Sequence, residues 1–344
     1  MVRISIVTNS VTGGGAEKAM NILANELCRR NFDISIIAIN KSLFDLSDIK
    51  CDLIEIKRTW DSGIFDTISS WLKFKNVIKN LKPDVLILNC DLPEFFGSIL
   101  FNKTKIICVE HSQYPWRTRP LFGRLIRAIL RVKNVTWVSV SNHVTIWPNS
   151  SKPDKVISNL ISESTPSLSV SGDLIKRLVF IGRLSWEKNP HEIIHIAKLV
   201  NLPVLFIGDG VDKEEVSKIA ITNEVENKMV GFKQKPWELI ESGDLLLVPS
   251  RFEGDGLVVV EALQRNIPLL ISNIPEFRRF NLPKHNYADN DTDFSNLILT
   301  NKSDISKFKV RQSIVNKVLS QRNLETVCSS WSSLIHDILI SKKV

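Results

Sequence analysis

The 344-residue chain is 43% hydrophobic and 24% charged, with neither a low-complexity tract nor an internal repeat. That composition excludes a disordered or fibrous protein and leaves room for two domains, each with its own core. The net charge of +8 is local: residues 1–160 carry 22 Lys/Arg against 14 Asp/Glu, whereas 161–344 carry 23 of each.

The five cysteines are scattered, odd in number and without metal-ligand spacing. They argue against a disulfide framework or a zinc site and for a reducing compartment. The chain opens directly on the strand-like VRISIVTN, and no apolar stretch approaches a membrane span, so a cytoplasmic location is expected.

In chain order, ISIVT (4–8) predicts a buried strand, and TGGGAEKAM (12–20) then opens an amphipathic helix over 16–30. Gly13, Gly14 and Gly15 let backbone approach a ligand, and the helix start offers N–H groups to an anion. The spacing is neither G-x-G-x-x-G nor a P-loop, so a tight strand-to-helix turn explains it as well. ISIIAI (34–39), DVLILN (84–89), KIICVE (105–110) and TWVSVS (136–141) continue the strand pattern. His111 follows the third of these; a lone histidine there is more often packed than catalytic.

Between 115 and 134 lies a basic stretch, PWRTRPLFGRLIRAILRVKN. Leu121, Phe122, Leu125, Ile126, Ile129 and Leu130 recur at helical spacing, and Arg124, Arg127 and Arg131 form a separate stripe. Such a helix, with Tyr114 and Trp116 beside it, suits the headgroup layer of an anionic membrane. It equally suits an apolar face packed on the first domain with arginines in water. No nucleic-acid motif accompanies the charge.

The strand alternation stops near VISNLI (156–161), and the Ser/Pro/Gly-rich run after it predicts a linker over 162–175. A second alternation follows: RLVFIG (177–182), PVLFIG (203–208), KMVGF (228–232), LLLVPS (245–250) and PLLISN (268–273). The chain ends on an amphipathic helix over 324–340. These patterns predict an α/β protein with two doubly wound parallel sheets, at 1–161 and 176–323, and a cleft between them. Ligands in such folds bind beyond the carboxyl ends of the strands.

Two loops at such ends carry charge. FIGRLSWEKN (180–189) places Arg183 and Lys188 where cations would neutralise a departing diphosphate, or simply meet water. RFEGDGLVVVEAL (251–263) invites a strand reading over LVVV. A helix starting near Leu257 is expected instead, with Glu253 in the loop and Glu261 one turn inside. Both carboxylates would then face one site, with helix amides between them.

Glu253 and Glu261 match the E-x7-E motif of the retaining, two-domain GT-B glycosyltransferases, and the chain resembles their family 4. GGGAEKAM, EHS (110–112), VSVSNH (138–143), VISNLIS (156–162), GRLSWEKN, FIGDG (206–210) and MVGF (229–232) occur in the matching order. The resemblance implies that Glu261 holds the ribose of a UDP- or GDP-sugar, Glu253 the sugar hydroxyls, and Arg183 and Lys188 the diphosphate. It places the amides of Asp255, Gly256 and Leu257 and the Gly14/Gly15 loop around phosphates and sugar. Gly208 and Phe232 would line the nucleotide, and His111 would sit beside the sugar. No metal or other cofactor is implied, the acceptor would be lipid-linked or an oligosaccharide, and the segment at 324–344 would cross back to the N-terminal domain. Surface-polysaccharide assembly at the inner face of the plasma membrane is the implied setting. Asp255 departs from the pattern, since many members carry an apolar or aromatic residue there; it could bind a sugar hydroxyl or face solvent.

Two other readings compete. DNDTD (289–293) contains D-x-D, the signature of a metal-dependent transferase, although a polar loop explains it better. A membrane-docked partner that has lost turnover would keep the fold, but Arg183, Lys188, Glu253 and Glu261 are all present.

Overall fold

The computed structural model describes all residues except 12, 43–48, 60–62, 101–102, 113, 162–173 and 341–344. The chain divides into two compact units, Met1–Ser162 with Arg322–Val344, and Glu163–Gln321. Most of the expected linker, 162–173, lies outside the described residues. Ile175, at its end, is buried in the second unit's core and its N–H bonds to the Lys302 carbonyl.

In the first unit β1 (Arg3–Thr8), α1 (Gly15–Arg29), β2 (Asp33–Asn40), β3 (Asp52–Arg58), α2 (Ile64–Leu81) and β4 (Val85–Asn89) run in succession. They are followed by α3 (Asp91–Ser98), β5 (Lys105–Glu110), α4 (Pro120–Val132), β6 (Thr136–Ser139) and β7 (Lys155–Val156). The strands form a parallel sheet in the order β3-β2-β1-β4-β5-β6-β7. Branched apolar runs buried on both faces explain why it is parallel and covered by helices on each side. α1 packs on one face together with α11 (Leu324–Ile340), whose Val327, Trp331 and Ile335 join the same core. The opposite face takes α2, α3 and α4 through Phe74, Phe96, Ile126 and Leu130.

The second unit comprises β8 (Arg177–Ile181), α5 (Pro190–Val200), β9 (Val204–Ile207), α6 (Lys213–Thr222), β10 (Asn227–Met229), β11 (Asp244–Val248) and α7 (Leu257–Gln264). β12 (Leu269–Ser272), α8 (Pro275–Arg278), β13 (Tyr287–Ala288), α9 (Asp291–Thr300) and α10 (Gln312–Ser320) complete it. Its parallel sheet has the order β10-β9-β8-β11-β12-β13. Strand order reverses between β8 and β11, as it does between β1 and β4 in the first sheet; such switch points open a crevice at the strands' carboxyl ends.

Candidate functional site

The loops after β8 and β11 meet at the second unit's switch point. Gly256, at φ +59°, is the N-cap of α7, so the helix starts at Leu257 as expected despite the β-propensity of LVVV. An added Cβ there would lie 2.8 Å from Phe277 Cε1, so both backbone conformation and space demand glycine. The loop therefore starts α7 on a residue that adds no side chain of its own beside the helix-start amides.

Glu253 is buried, and its Oε1 accepts from Ser250 Oγ at 2.9 Å and lies 2.6 Å from Lys188 Nζ. Lys188 comes from the β8 loop, which is zipped to the β11 loop by the Arg251 N–H on the Glu187 carbonyl (2.9 Å) and by Arg251 Nη2 on Asn189 Oδ1 (2.9 Å). Arg183 is exposed at the start of the same loop and makes no side-chain hydrogen bond or ion pair among the described residues. Glu261, one turn into α7, accepts from Trp237 Nε1 at 3.0 Å, and Arg265 stacks over that indole at 5.1 Å.

Gly208 follows β9 at φ +149°, where a Cβ would sit 1.8 Å from the Gly182 carbonyl oxygen. Its N–H bonds to the Gly231 carbonyl at 2.9 Å, which brings the turn before Phe232 alongside. The carboxyl ends of β8, β9, β10 and β11 thus carry Arg183, Lys188, Gly208, Phe232 and Glu253, with Glu261 on the helix behind. Asp255 does not face solvent: its Oδ1 and its carbonyl both accept from Arg279 Nη2 at 2.6 Å, and its side chain is 4% exposed.

The remaining expected residues belong to the first unit. Gly14 is the N-cap of α1, and its N–H bonds to Glu17 Oε2 at 3.0 Å, the one half of a capping box that a residue without a side chain allows. At φ −102° Gly14 has a backbone any residue could adopt, so close approach, not conformation, is what its missing side chain offers. His111 follows β5, the strand that ends at Glu110.

Arg127 does not join the expected basic stripe. Its side chain is 1% exposed, bonded to Glu94 through Nε (2.9 Å) and Nη2 (2.6 Å), to Glu110 through Nη1 (2.5 Å), and to the Trp147 carbonyl (3.0 Å). Trp137 and Trp147 flank the guanidinium at 5.0 and 5.7 Å. Nor does α4 bury one apolar face: Ile126 and Leu130 are buried, whereas Leu121 and Leu125 are 80% and 57% exposed. The D-x-D run also has a local role, since Asn290 caps α9 by accepting from the Asp293 N–H. Among the described residues no group of three or more His, Cys, Asp or Glu is placed to hold a metal.

Trp237 and Ser250 escaped sequence reasoning. Ser250 ends a predicted strand as an ordinary polar residue, and Trp237 sits on a short 3-10 turn, Pro236–Leu239, with no periodic signal.

Two parallel α/β sheets are also the fold of solved GT-B glycosyltransferases. Anabaena Alr3699/HepE in complex with UDP and glucose superposes with TM-score 0.76 at 16% identity, over 98% of this chain and 100% of that one. WaaG, a glycosyltransferase involved in lipopolysaccharide biosynthesis, gives 0.69 at 12% identity, over 96% and 99%. Residues 174–293 match the family model of glycosyl transferases group 1. A Campylobacter jejuni α-1,4-N-acetyl-D-galactosaminyltransferase named for a glycan on PP-undecaprenol is 26% identical over 278 residues, 76% of this chain and 77% of that protein. An O-antigen biosynthesis glycosyltransferase of Escherichia coli, WclY, is 33% identical over 72 residues, 20% of each chain. Residues 174–293 carry the match to the group 1 glycosyltransferases, and the chain is an enzyme of the glycosyltransferase kind.

Proposed function

We propose that this enzyme transfers a sugar, with retention of anomeric configuration, from a UDP- or GDP-sugar to a lipid-linked or oligosaccharide acceptor in bacterial surface-polysaccharide assembly. The observation that carries the reading is the Lys188–Glu253 pair at the mouth of the Gly256 loop. A diphosphate arriving at Lys188 and Arg183 competes for the ammonium, and the released Glu253 oxygens then accept from sugar hydroxyls. The amides of Asp255, Gly256 and Leu257 at the start of α7 suit phosphate oxygens. Glu261 takes the ribose hydroxyls, while Gly208 and Phe232 border the nucleotide. Gly14, Gly15 and His111 act from the first unit, on the sugar and phosphates.

Charge developing on the departing diphosphate is stabilised by fixed cations and amides without a metal or other cofactor. The leaving phosphate takes the acceptor hydroxyl's proton on the same face of the sugar. The diphosphate-linked lipid in the Campylobacter enzyme's name, and the O-antigen role in that of WclY, support this acceptor class.

The first unit's surface supports, as part of this reading, a peripheral position at the inner face of the membrane. No helix among the described residues is long and apolar enough to cross a bilayer. α2 exposes Ile64 and Phe65 (77% and 90%), and α4, on the same sheet face, exposes Leu121 and Leu125 beside Arg117, Arg119 and Arg124. Exposed apolar side chains on the same unit as exposed arginines suit an anionic headgroup layer.

The test is transfer from a panel of UDP- and GDP-sugars to undecaprenyl-diphosphate-linked sugars, with product configuration read by NMR. The expected product keeps the donor's anomeric configuration, forms in EDTA, and falls by about 10²-fold or more in Lys188→Ala and Glu261→Ala. An inverted product, or activity lost in EDTA and restored by manganese, contradicts the proposal.

A further inference from the structure

The carboxylate of Glu94 is shared between two side chains that grip opposite flanks of one loop. Its Oε2 accepts from Arg127 Nε at 2.9 Å and from Trp116 Nε1 at 2.8 Å. Through Nη1, Arg127 reaches Glu110, the last residue of β5 and the neighbour of His111. Trp116 lies five residues beyond His111, and its own N–H bonds to Asp91 Oδ2 at 2.8 Å. The stretch bearing His111 is therefore tied at both ends to α3, whose Asp91 and Glu94 are its anchors.

The anchoring is costly. Trp116 holds φ +58°, a conformation that a bulky residue rarely adopts and that persists only where its surroundings over-determine it. Its indole lies against Gly123 on α4, where an added Cβ would fall 2.3 Å from Trp116 Cγ. Three carboxylates (Asp91, Glu94 and Glu110) share this buried region with one guanidinium, and burial raises Asp91 and Glu110. A sealed ionic cluster of this kind is weak evidence for stability, since apolar residues of similar volume often serve as well or better. What it does supply is a fixed position for Glu110 and Trp116, the residues on either side of His111.

We infer that Arg127 and Glu94, with Trp116, are positioning residues that set the placement of His111 from both flanks of its loop. The inference rests on the proposed role of His111 beside the transferred sugar. None of the three need touch substrate; each acts through the histidine.

The experiment is a mutant cycle on the full chain, assayed by turnover of the UDP- and GDP-sugar panel, with folding checked by thermal melts. His111→Ala, Trp116→Phe, Glu94→Gln and Arg127→Met are compared singly, and the last three are each combined with His111→Ala. Trp116→Phe deletes the N–H on Glu94 together with the pyrrole half of the indole, whereas Glu94→Gln keeps the side-chain volume, so the two together remain informative if Arg127→Met does not fold. Each single change is expected to lower kcat about tenfold or more with donor KM within about twofold. Each double variant should be no slower than His111→Ala alone, because acting through one group makes losses non-additive. In a histidine-labelled sample the imidazole signal that His111→Ala removes should move in Trp116→Phe.

Multiplying losses in the double variants, or an unmoved His111 signal, overturns the inference and leaves the donor site intact. A silent His111→Ala overturns it by removing the histidine from the site. Loss of donor binding in Lys188→Ala, measured in parallel, tests the donor-site reading separately.

Discussion

Lys188 meets Glu253 at 2.6 Å with 29% of its side-chain surface exposed, whereas Arg127 meets Glu94 at 2.6 Å and Glu110 at 2.5 Å with 1% exposed. The chemistry is nearly the same and access to water is not. An ion pair at a half-open loop can exchange one partner for a phosphate, because water screens the separated charges while they change hands. A sealed pair cannot, because parting it strands a buried charge. The open cluster lies among glycine-rich loops at a switch point and suits binding. The sealed one lies under a loop and suits holding that loop still.

Removing the sealed cation should have the largest effect. Arg127→Met leaves two buried carboxylates without their partner and is expected to cost about 3–5 kcal/mol of stability in denaturant titrations. A loss no larger than that of a surface arginine would mean that the cluster is not sealed.

Its pH response is a second probe. Burial and Glu94 push Glu110 from 4.5 up to about 8, although Arg127 pulls the other way; Asp91 adds to the rise. The folded chain then keeps a proton that the unfolded chain has released between roughly pH 4.5 and 8. Stability contributed at Glu110 should fall as pH rises through that window and be level outside it, with a slope of at most about 1.4 kcal/mol per pH unit. Glu110→Gln should flatten that component of the curve, leaving the part due to Asp91, which burial raises from 3.8 to about 6.

On the open side the expected stability change is smaller and the functional one larger. Gly256→Ala forces a left-handed backbone on a side chain, at about 1–2 kcal/mol, and presses a methyl group on Phe277. The melt should shift modestly while nucleotide-sugar binding is lost, since the α7 amides are displaced.

Much of this was legible in the sequence because the patterns are local. The buried strands of both sheets announce themselves as branched runs, and the α7 start could be read from glycines flanking Asp255. β3 was missed because DLIEIKR is a half-exposed edge strand with charges along it, and β13 because it spans two residues. Arg127 was misread for a different reason. Helical spacing aligns it with Arg124 and Arg131, but its partners Glu94 and Glu110 lie 33 and 17 residues away, and only the fold brings them together. The pairing of Asp255 with Arg279, 24 residues on, was hidden in the same way.

Thermal shifts with UDP- and GDP-sugars test most directly whether the loops carrying Lys188, Glu253 and Glu261 hold a nucleotide-sugar. At 100 times its dissociation constant the correct donor should stabilise the wild-type chain by about 2.7 kcal/mol, and Lys188→Ala and Glu261→Ala should lose that gain measured against each variant's own ligand-free melt. Stabilisation that persists undiminished in both variants, or that no nucleotide-sugar produces in the wild type, would contradict it.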